Sequence, residues 1–312
     1  MKIIFFGTAD ISKYFLENIN DKHKVVSVVT MCDKPVGRAN KIKAPAIKEY
    51  AIEQNIPYIQ VDKFNNDIIQ KIKDCNADAG VVVSFGKIIP KNVFSLPRYG
   101  CFNIHFSLLP KYRGAAPVQQ VLINGDTKTG VTAFCIEDGL DTGDILLQKE
   151  LDIDIKDTSE TLFNKLNIIG KNIMNEVLDM LDSGKIKAKK QEGTPSFCST
   201  FNKERGKIDW NKSATEIYNL YRGLYLWPKV FCKISEGRMA GKILKILECE
   251  VVIDLSNAKV GTVIKIIKGV GFVVKCSKDA LLITKVQPES KNQMSAFDFL
   301  NGTQIKVGSL FL

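Results

Sequence analysis

Two runs constrain the fold more than anything else in the chain: Lys24–Met31 (KVVSVVTM) and Ala79–Phe85 (AGVVVSF). Both are rich in β-branched residues and neither alternates apolar with polar. That pattern belongs to strands covered on both faces, as parallel strands between two layers of helices are. Ile3–Phe6 reads as a third such strand, closing on a Gly7-Thr8 turn, and Pro57–Val61 as a shorter one. Helical patterns fall between them: Asp10–Asn18 with Ile11, Tyr14, Phe15 and Leu16 inward, about Pro45 to Gln54, and Asn65–Asp74. Cys32–Lys43 reads as a polar loop, and His23, among charges between a helix and a strand, as a solvated histidine. The alternation predicts an α/β fold with a Rossmann-like, doubly wound, mainly parallel sheet. A dinucleotide fingerprint needs three glycines at the first turn, and Gly7 stands alone there, so neither NAD nor FAD is expected.

The 312 residues exceed what one core of this kind needs, and two domains are expected. Leu151–Ile155 reads as a strand. A long amphipathic helix follows, beginning near Asp157–Glu160, with Thr158 or Ser159 as its cap, and ending near Leu181. Residues 1–188 are assigned to a first, catalytic domain, 189–206 to a polar linker without period, and 207–312 to a second domain. The second opens with a helix at Ser213–Leu224. Five short strands come after it: Val230–Ile234, Lys242–Val252, Gly261–Ile267, Gly271–Cys276 and Ala280–Val286. Five strands in about 100 residues suggest a small OB-like β-barrel.

Charge divides the same way. Residues 1–188 hold 24 Lys and Arg against 23 Asp and Glu, a net of +1; the rest hold 20 against 11, a net of +9. A basic excess confined to one domain is what polyanion binding by counterion release requires, although a lysine-rich solvated surface has the same composition. The eight cysteines occur singly and without a CxxC, which reads as reduced, mostly buried thiols of a cytoplasmic protein. Two histidines give a metal site almost no material, so no metal is expected. No apolar run approaches a membrane span.

The chemistry concentrates in Cys101–Leu146. Phe102, Ile104 and Phe106 alternate with Cys101, Asn103 and His105, so Asn103 and His105 leave one side of a strand two residues apart. A histidine ending an apolar strand suits a core role equally well. The neighbouring Asn103 amide, and Asp141 in the Gly-rich run Asp138–Asp144, tilt the reading toward catalysis. Amide, imidazole and carboxylate without a nearby Ser or Cys nucleophile fit direct acyl transfer. There the substrate supplies the attacking amine, and the enzyme stabilises an oxyanion and moves a proton.

Asn103-x-His105-x-Ser107-Leu108-Leu109-Pro110, followed by Asp141, resembles the formyltransferases that use 10-formyltetrahydrofolate. The flanking motifs are similar to the branch that acts on methionyl-initiator tRNA. They are Phe5–Thr8, Asp33–Arg38, Phe85–Pro90, Arg113–Pro117, Gly139–Asp144, Lys207–Trp210, Trp227-Pro228 and Met294–Ala296. The resemblance implies that Asn103 and His105 polarise the formyl oxygen and that Asp141 holds His105 and relays the amine proton. It implies a folate cleft from Ser107, Leu108, Leu109, Pro110, Phe85, Gly86, Ile88, Leu140 and Asp144. It implies a tRNA-contacting loop carrying Arg38, Lys41 and Lys43, and a monomer. Phe106, Ala39 and Cys32 depart from the family's usual residues. Two rivals stand beside this reading: a formyltransferase of the same fold acting on an amino sugar nucleotide or glycinamide ribonucleotide, and a non-catalytic tRNA-binding protein. The basic second domain argues against the first, and the intact Asn103, His105 and Asp141 against the second.

Overall fold

The computed structural model describes residues 1–19, 21–36 and 40–312. It divides into two compact units, one of residues 1–114, 128–152 and 165–197, the other of 115–127, 153–164 and 198–312.

The first unit is built on a seven-stranded sheet. Its strands are β1 (Lys2–Gly7), β2 (Lys24–Met31), β3 (Tyr58–Val61), β4 (Ala79–Val83), β5 (Cys101–His105), β6 (Lys128–Cys135) and β7 (Ile145–Asp152). The order is β7-β6-β5-β4-β1-β2-β3. Pairing is parallel from β3 through β5 and antiparallel for β5 with β6 and β6 with β7. The mainly parallel sheet read from the β-branched runs is therefore the one present, and β4 is buried along its whole length. Helices α1 (Asp10–Glu17), α2 (Ala46–Glu53) and α3 (Asn66–Asp74) fall between the parallel strands, and the Asn65 carboxamide caps α3 by accepting from the Ile68 N–H.

Several local expectations need correction. In α1 the buried residues are Ser12, Phe15 and Leu16, while Ile11 and Tyr14 are half-buried. Ser12 takes an inward place because its hydroxyl accepts from the Thr8 N–H (3.1 Å) and donates to the Val83 carbonyl (2.7 Å), tying α1 to the end of β4. That strand stops at Val83, before Phe85, because Ser84 turns the chain with φ of 48°. Within the expected polar loop, Lys34–Val36 pairs antiparallel with Lys41–Lys43. The strand expected at Leu151–Ile155 is β7, which starts at Ile145 and ends at Asp152. His23 is buried, not solvated: Nε2 lies 3.3 Å from Asp179 and Nδ1 3.4 Å from the amino group of Met1.

Helix α4 (Pro117–Ile123) lies in the second unit, and α5 (Ser159–Asp182) is the long helix. Gly170 of α5 sits against the strand that carries the site. A Cβ there would come within 2.8 Å of Phe15 and 3.3 Å of Ile104. Phe106 is buried with its ring 6.1 Å from that of Phe15, so this departure from the family's residue fills the layer between α1 and β5.

The second unit adds α6 (Ala214–Gly223) and α7 (Ala296–Thr303) to strands β8 (Val230–Lys233), β9 (Ile243–Val252), β10 (Val263–Ile267), β11 (Gly271–Lys275) and β12 (Ala280–Pro288). A capping box starts α6: Ser213 accepts from the Glu216 N–H and the Glu216 carboxylate accepts from the Ser213 N–H. The antiparallel order is β8-β9-β12-β11-β10. Residues 308–312 join its two edges. Leu312 exchanges backbone hydrogen bonds with Lys233 at the end of β8 (2.6 and 2.9 Å). Val263 of β10 donates to Ser309 and accepts from Gly308 (2.8 Å each). Phe311 stacks on Phe272 in the core at 5.5 Å. The closed sheet is the small barrel expected. All eight cysteines are free and five are buried. Burial pushes the Cys135 thiol up to about 11 and the Cys276 thiol to about 12.

Candidate active site

The period of β5 puts Ile104 into the core and leaves Asn103 half-buried on the other side with His105. His105 is 6% exposed, and its Nε2 lies 2.9 Å from the carbonyl oxygen of Tyr112. A carbonyl can only accept, so Nε2 carries the proton and Nδ1 is the nitrogen with a free lone pair. Nδ1 faces Asp141 Oδ2 at 3.8 Å, an ion-pair distance rather than a hydrogen bond. The ring of Phe134 meets the imidazole edge-on at 6.2 Å. Among the described residues, the Asn103 carboxamide has no hydrogen-bond partner in the protein. An amide left unpaired at a half-buried position has its donors available for a ligand oxygen.

The backbone that holds His105 is itself held. Tyr112 has φ of 60°, a left-handed conformation that costs a non-glycine residue about 1 kcal/mol or more. Its N–H donates to Ser196 Oγ at 2.9 Å. Ser107 Oγ donates to the Lys111 carbonyl (2.7 Å), and Thr132 Oγ1 donates to the Ser107 carbonyl (2.6 Å). Gln148 Nε2 donates to Thr132 Oγ1 (2.7 Å) and to the Leu109 carbonyl (3.1 Å). The turn from Ser107 to Tyr112 is thus pinned from β6 and β7.

Asp141 comes from the loop between β6 and β7, again with positive φ (52°). Its Oδ2 accepts from the Gly114 N–H at 2.7 Å. Gly143 lies so close to the end of β6 that a Cβ would fall 1.7 Å from the Cys135 carbonyl, which requires glycine there. Gln191 holds the same loop from the other side. Its Nε2 donates to the Asp141 and Gly143 carbonyls (2.8 Å each), while its Oε1 accepts from Arg113 Nη2 (2.7 Å) and Nε (3.3 Å).

The structure thus brings His105 and Asp141 together in the first unit, with Asn103 two residues along the same side of β5 from His105. The residues expected to line a folate cleft are more mixed. The side chains of Ser107, Leu109 and Phe85 are buried, Phe85 packing on Phe6 and Phe64, so in this state only their backbone could meet a ligand. Leu108, Pro110 and Asp144 are half-buried; Gly86, Ile88 and Leu140 are exposed, Ile88 at 92%. The loops after β1 and β4 meet where strand order reverses, the usual ligand crevice of such sheets, and Thr8 Oγ1 donates to the Phe85 carbonyl there (2.8 Å).

Lys41 and Lys43 are exposed on the hairpin that follows β2, and Arg38 lies outside the described residues. Lys34 stands directly opposite Lys43, an arrangement that repels unless an anion lies between. The base of the hairpin is fixed by Asp33, whose carboxylate accepts from Lys48 (2.8 and 3.0 Å) and Gln60 (2.7 Å). The Lys48 hydrogen bond, aided by Gln60, holds the Asp33 carboxyl below the usual carboxylate range.

Sequence reasoning missed Gln191, Arg113, Thr132, Gln148 and the Tyr112 carbonyl. Arg113 lay within a quoted motif but had no assigned role, and Gln191 lay inside the expected linker. Elsewhere, a cavity of about 490 Å³ in the second unit is lined by Lys207, Trp210, Lys259 and Phe311, among others; none of the candidate catalytic or folate-cleft residues lines it. Among the described residues, no helix is long and apolar enough to cross a membrane.

A strand-borne amide and imidazole facing a carboxylate, at the carboxyl ends of a Rossmann-like sheet, describe an acyl-group transferase. Residues 1–178 match the family model for formyl transferases, and residues 201–304 match that for the formyl transferase C-terminal domain. The chain belongs to the formyl transferase family. The methionyl-tRNA formyltransferase of Endomicrobium trichonymphae is 49% identical over 312 residues, covering 100% of both chains. That of Fusobacterium nucleatum is 40% identical over 311 residues, covering 99% of each. Among solved structures, a sugar 3N-formyl transferase crystallised in the presence of dTDP and 5-N-formyl-THF superposes with a TM-score of 0.66 at 22% identity, over 94% of this chain and 99% of that one. The N-formyltransferase from Helicobacter canadensis, in complex with folinic acid and dTDP-3-aminofucose, gives 0.66 at 21%, over 92% and 100%. These two share the fold.

Proposed function

We propose that this chain transfers the formyl group of 10-formyltetrahydrofolate to the free amino group of methionyl-initiator tRNA, in a cytoplasm that starts translation with formylmethionine. End-to-end identity of 49% with a methionyl-tRNA formyltransferase carries the reading. The folate donor is supported by the folate compounds named with the two solved structures of this fold.

The acceptor amine attacks the formyl carbon, and the carbonyl oxygen becomes an oxyanion. Asn103, with no other partner among the described residues, donates to that oxygen. Each such donor contributes about 3–4 kcal/mol to the transition state. The amine must lose a proton as the C–N bond forms, and N10 of the folate must gain one as its bond to the formyl carbon breaks. Asp141 and Nδ1 of His105 are the two basic atoms placed to carry it. A proton taken up by Nδ1 leaves an imidazolium facing the Asp141 carboxylate across 3.8 Å. Ser107–Pro110, Phe85–Ile88 and Leu140–Asp144 bound the folate cleft, contributing mainly backbone groups. The hairpin with Lys41 and Lys43 and the basic second unit hold the tRNA; the working form is a monomer.

The test is a formylation assay with 10-formyltetrahydrofolate and charged initiator and elongator methionyl-tRNAs in parallel. Formylmethionyl-tRNA from the initiator is the expected product. Formylation of an amino sugar nucleotide in its place would overturn the reading.

A further inference from the structure

We propose that Gln191 is a positioning residue for catalysis: its carboxamide, oriented by Arg113, fixes the Asp141 loop and so sets the carboxylate against His105. The inference rests on the reading of Asp141 and His105 as the catalytic pair.

The orientation of the carboxamide follows from its neighbours. Arg113 offers only donors, at 2.7 and 3.3 Å, so the oxygen of Gln191 must face it. The NH₂ group then spends its two hydrogens on two carbonyls, those of Asp141 and Gly143, at 2.8 Å each. The reverse orientation would set donors against donors on one side and acceptors against acceptors on the other. One amide thus bridges both neighbours of Thr142, within a loop whose Asp141 is in a left-handed conformation.

The loop has few other ties near its acidic tip. Among the described residues the carboxylate of Asp141 is held by a single backbone donor, Gly114 N–H, and the chain regains the sheet where the Cys135 N–H donates to the Asp144 carbonyl at 2.9 Å. Gly114 and Arg113 are adjacent, so the carboxylate's donor and the residue that orients Gln191 lie on one dipeptide. The Arg113 N–H donates to Ser196, and Ser196 Oγ accepts from the N–H of Tyr112, whose carbonyl fixes the tautomer of His105. Residues 191–196 therefore brace both members of the pair, the carboxylate through Gln191 and the imidazole through Ser196. The 3.8 Å between Nδ1 and Oδ2 is already beyond hydrogen-bond distance, and a misplacement of about 1 Å costs up to about 10²-fold in rate.

Gln191→Met keeps the volume of the side chain and removes all four hydrogen bonds; Gln191→Ala removes the volume as well. With full-length protein, both should lower kcat by about 10- to 100-fold while the KM for either substrate changes by less than about threefold. The chain has two histidines, so ring resonances in an NMR spectrum separate cleanly. His105 should shift in both variants, and His23, buried against Asp179 in the same unit, should not. If His23 moves in Gln191→Ala, that variant has lost its fold and the Met variant decides. Unchanged kcat and an unchanged His105 resonance in Gln191→Met overturn the inference. Failure of the underlying reading shows separately: turnover that survives Asp141→Asn sinks the catalytic pair itself, whatever Gln191 does.

Discussion

The carbonyl of Tyr112 decides which nitrogen of His105 bears the proton, and therefore which can accept one. Asn103→Ala should cut kcat by about 10²- to 10³-fold, the loss expected for one oxyanion donor, with tRNA affinity by filter binding largely kept. His105→Ala and Asp141→Ala should also lose turnover by orders of magnitude without losing tRNA; an equal loss of binding would assign them to structure. Asn103 and His105 were legible in the sequence because a strand has a period of two and their neighbours Phe102, Ile104 and Phe106 mark the apolar face. Gln191 was not, because it reaches Asp141 across 50 residues and has no apolar period around it. The Tyr112 carbonyl is invisible in a different way: every residue has one, and only the left-handed turn aims this one.

At the scale of elements, the parallel strands declared themselves and the hairpin after β2 did not. Three-residue strands in a polar, lysine-rich segment carry no alternation to read. Asp33 anchors that hairpin, and its lowered carboxyl keeps the anchor charged at any pH above the usual carboxylate value. The contribution is complete there and is lost only as pH falls through the depressed value. Asp33→Asn should therefore raise the KM for charged tRNA several-fold at pH 7 and leave the KM for folate unchanged, as steady-state kinetics would register. Helix α5 offers a contest of magnitudes. Gly170→Ala gains about 1 kcal/mol of helix propensity. The added Cβ meets the buried Phe15 ring at 2.8 Å, and overpacking of this kind costs about 1–3 kcal/mol. Urea denaturation should find the alanine variant less stable by about 1 kcal/mol and Gly170→Val by more, because Phe15 is itself packed on Phe106 and has nowhere to go.

Over the whole molecule, charge is the feature that the sequence displays and the fold organises. A net of +9 in residues 189–312 and an exposed lysine hairpin in the first unit give a polyanion two places to be held. Affinity for tRNA should fall steeply with salt. Replacing Lys41 and Lys43 by Ala should lower the slope of log affinity against log salt by up to about 2, since each phosphate contact contributes roughly 0.9. A flat response would remove the basic surface from the binding account. The alternation of elements and the change of charge predict two domains, 1–188 and 207–312; the second compact unit also takes in residues 115–127 and 153–164. The segment that closes the barrel was not legible, because it depends on five residues pairing with strands about 45 to 80 positions away. That closure has a consequence for solubility. With residues 308–312 removed, β8 and β10 would each present a bare row of N–H and C=O groups, and Phe311, now 2% exposed, would leave a hole beside Phe272. Open strand edges recruit other chains. A molecule shortened by five residues would be lost first to self-association, at a rate rising with its own concentration.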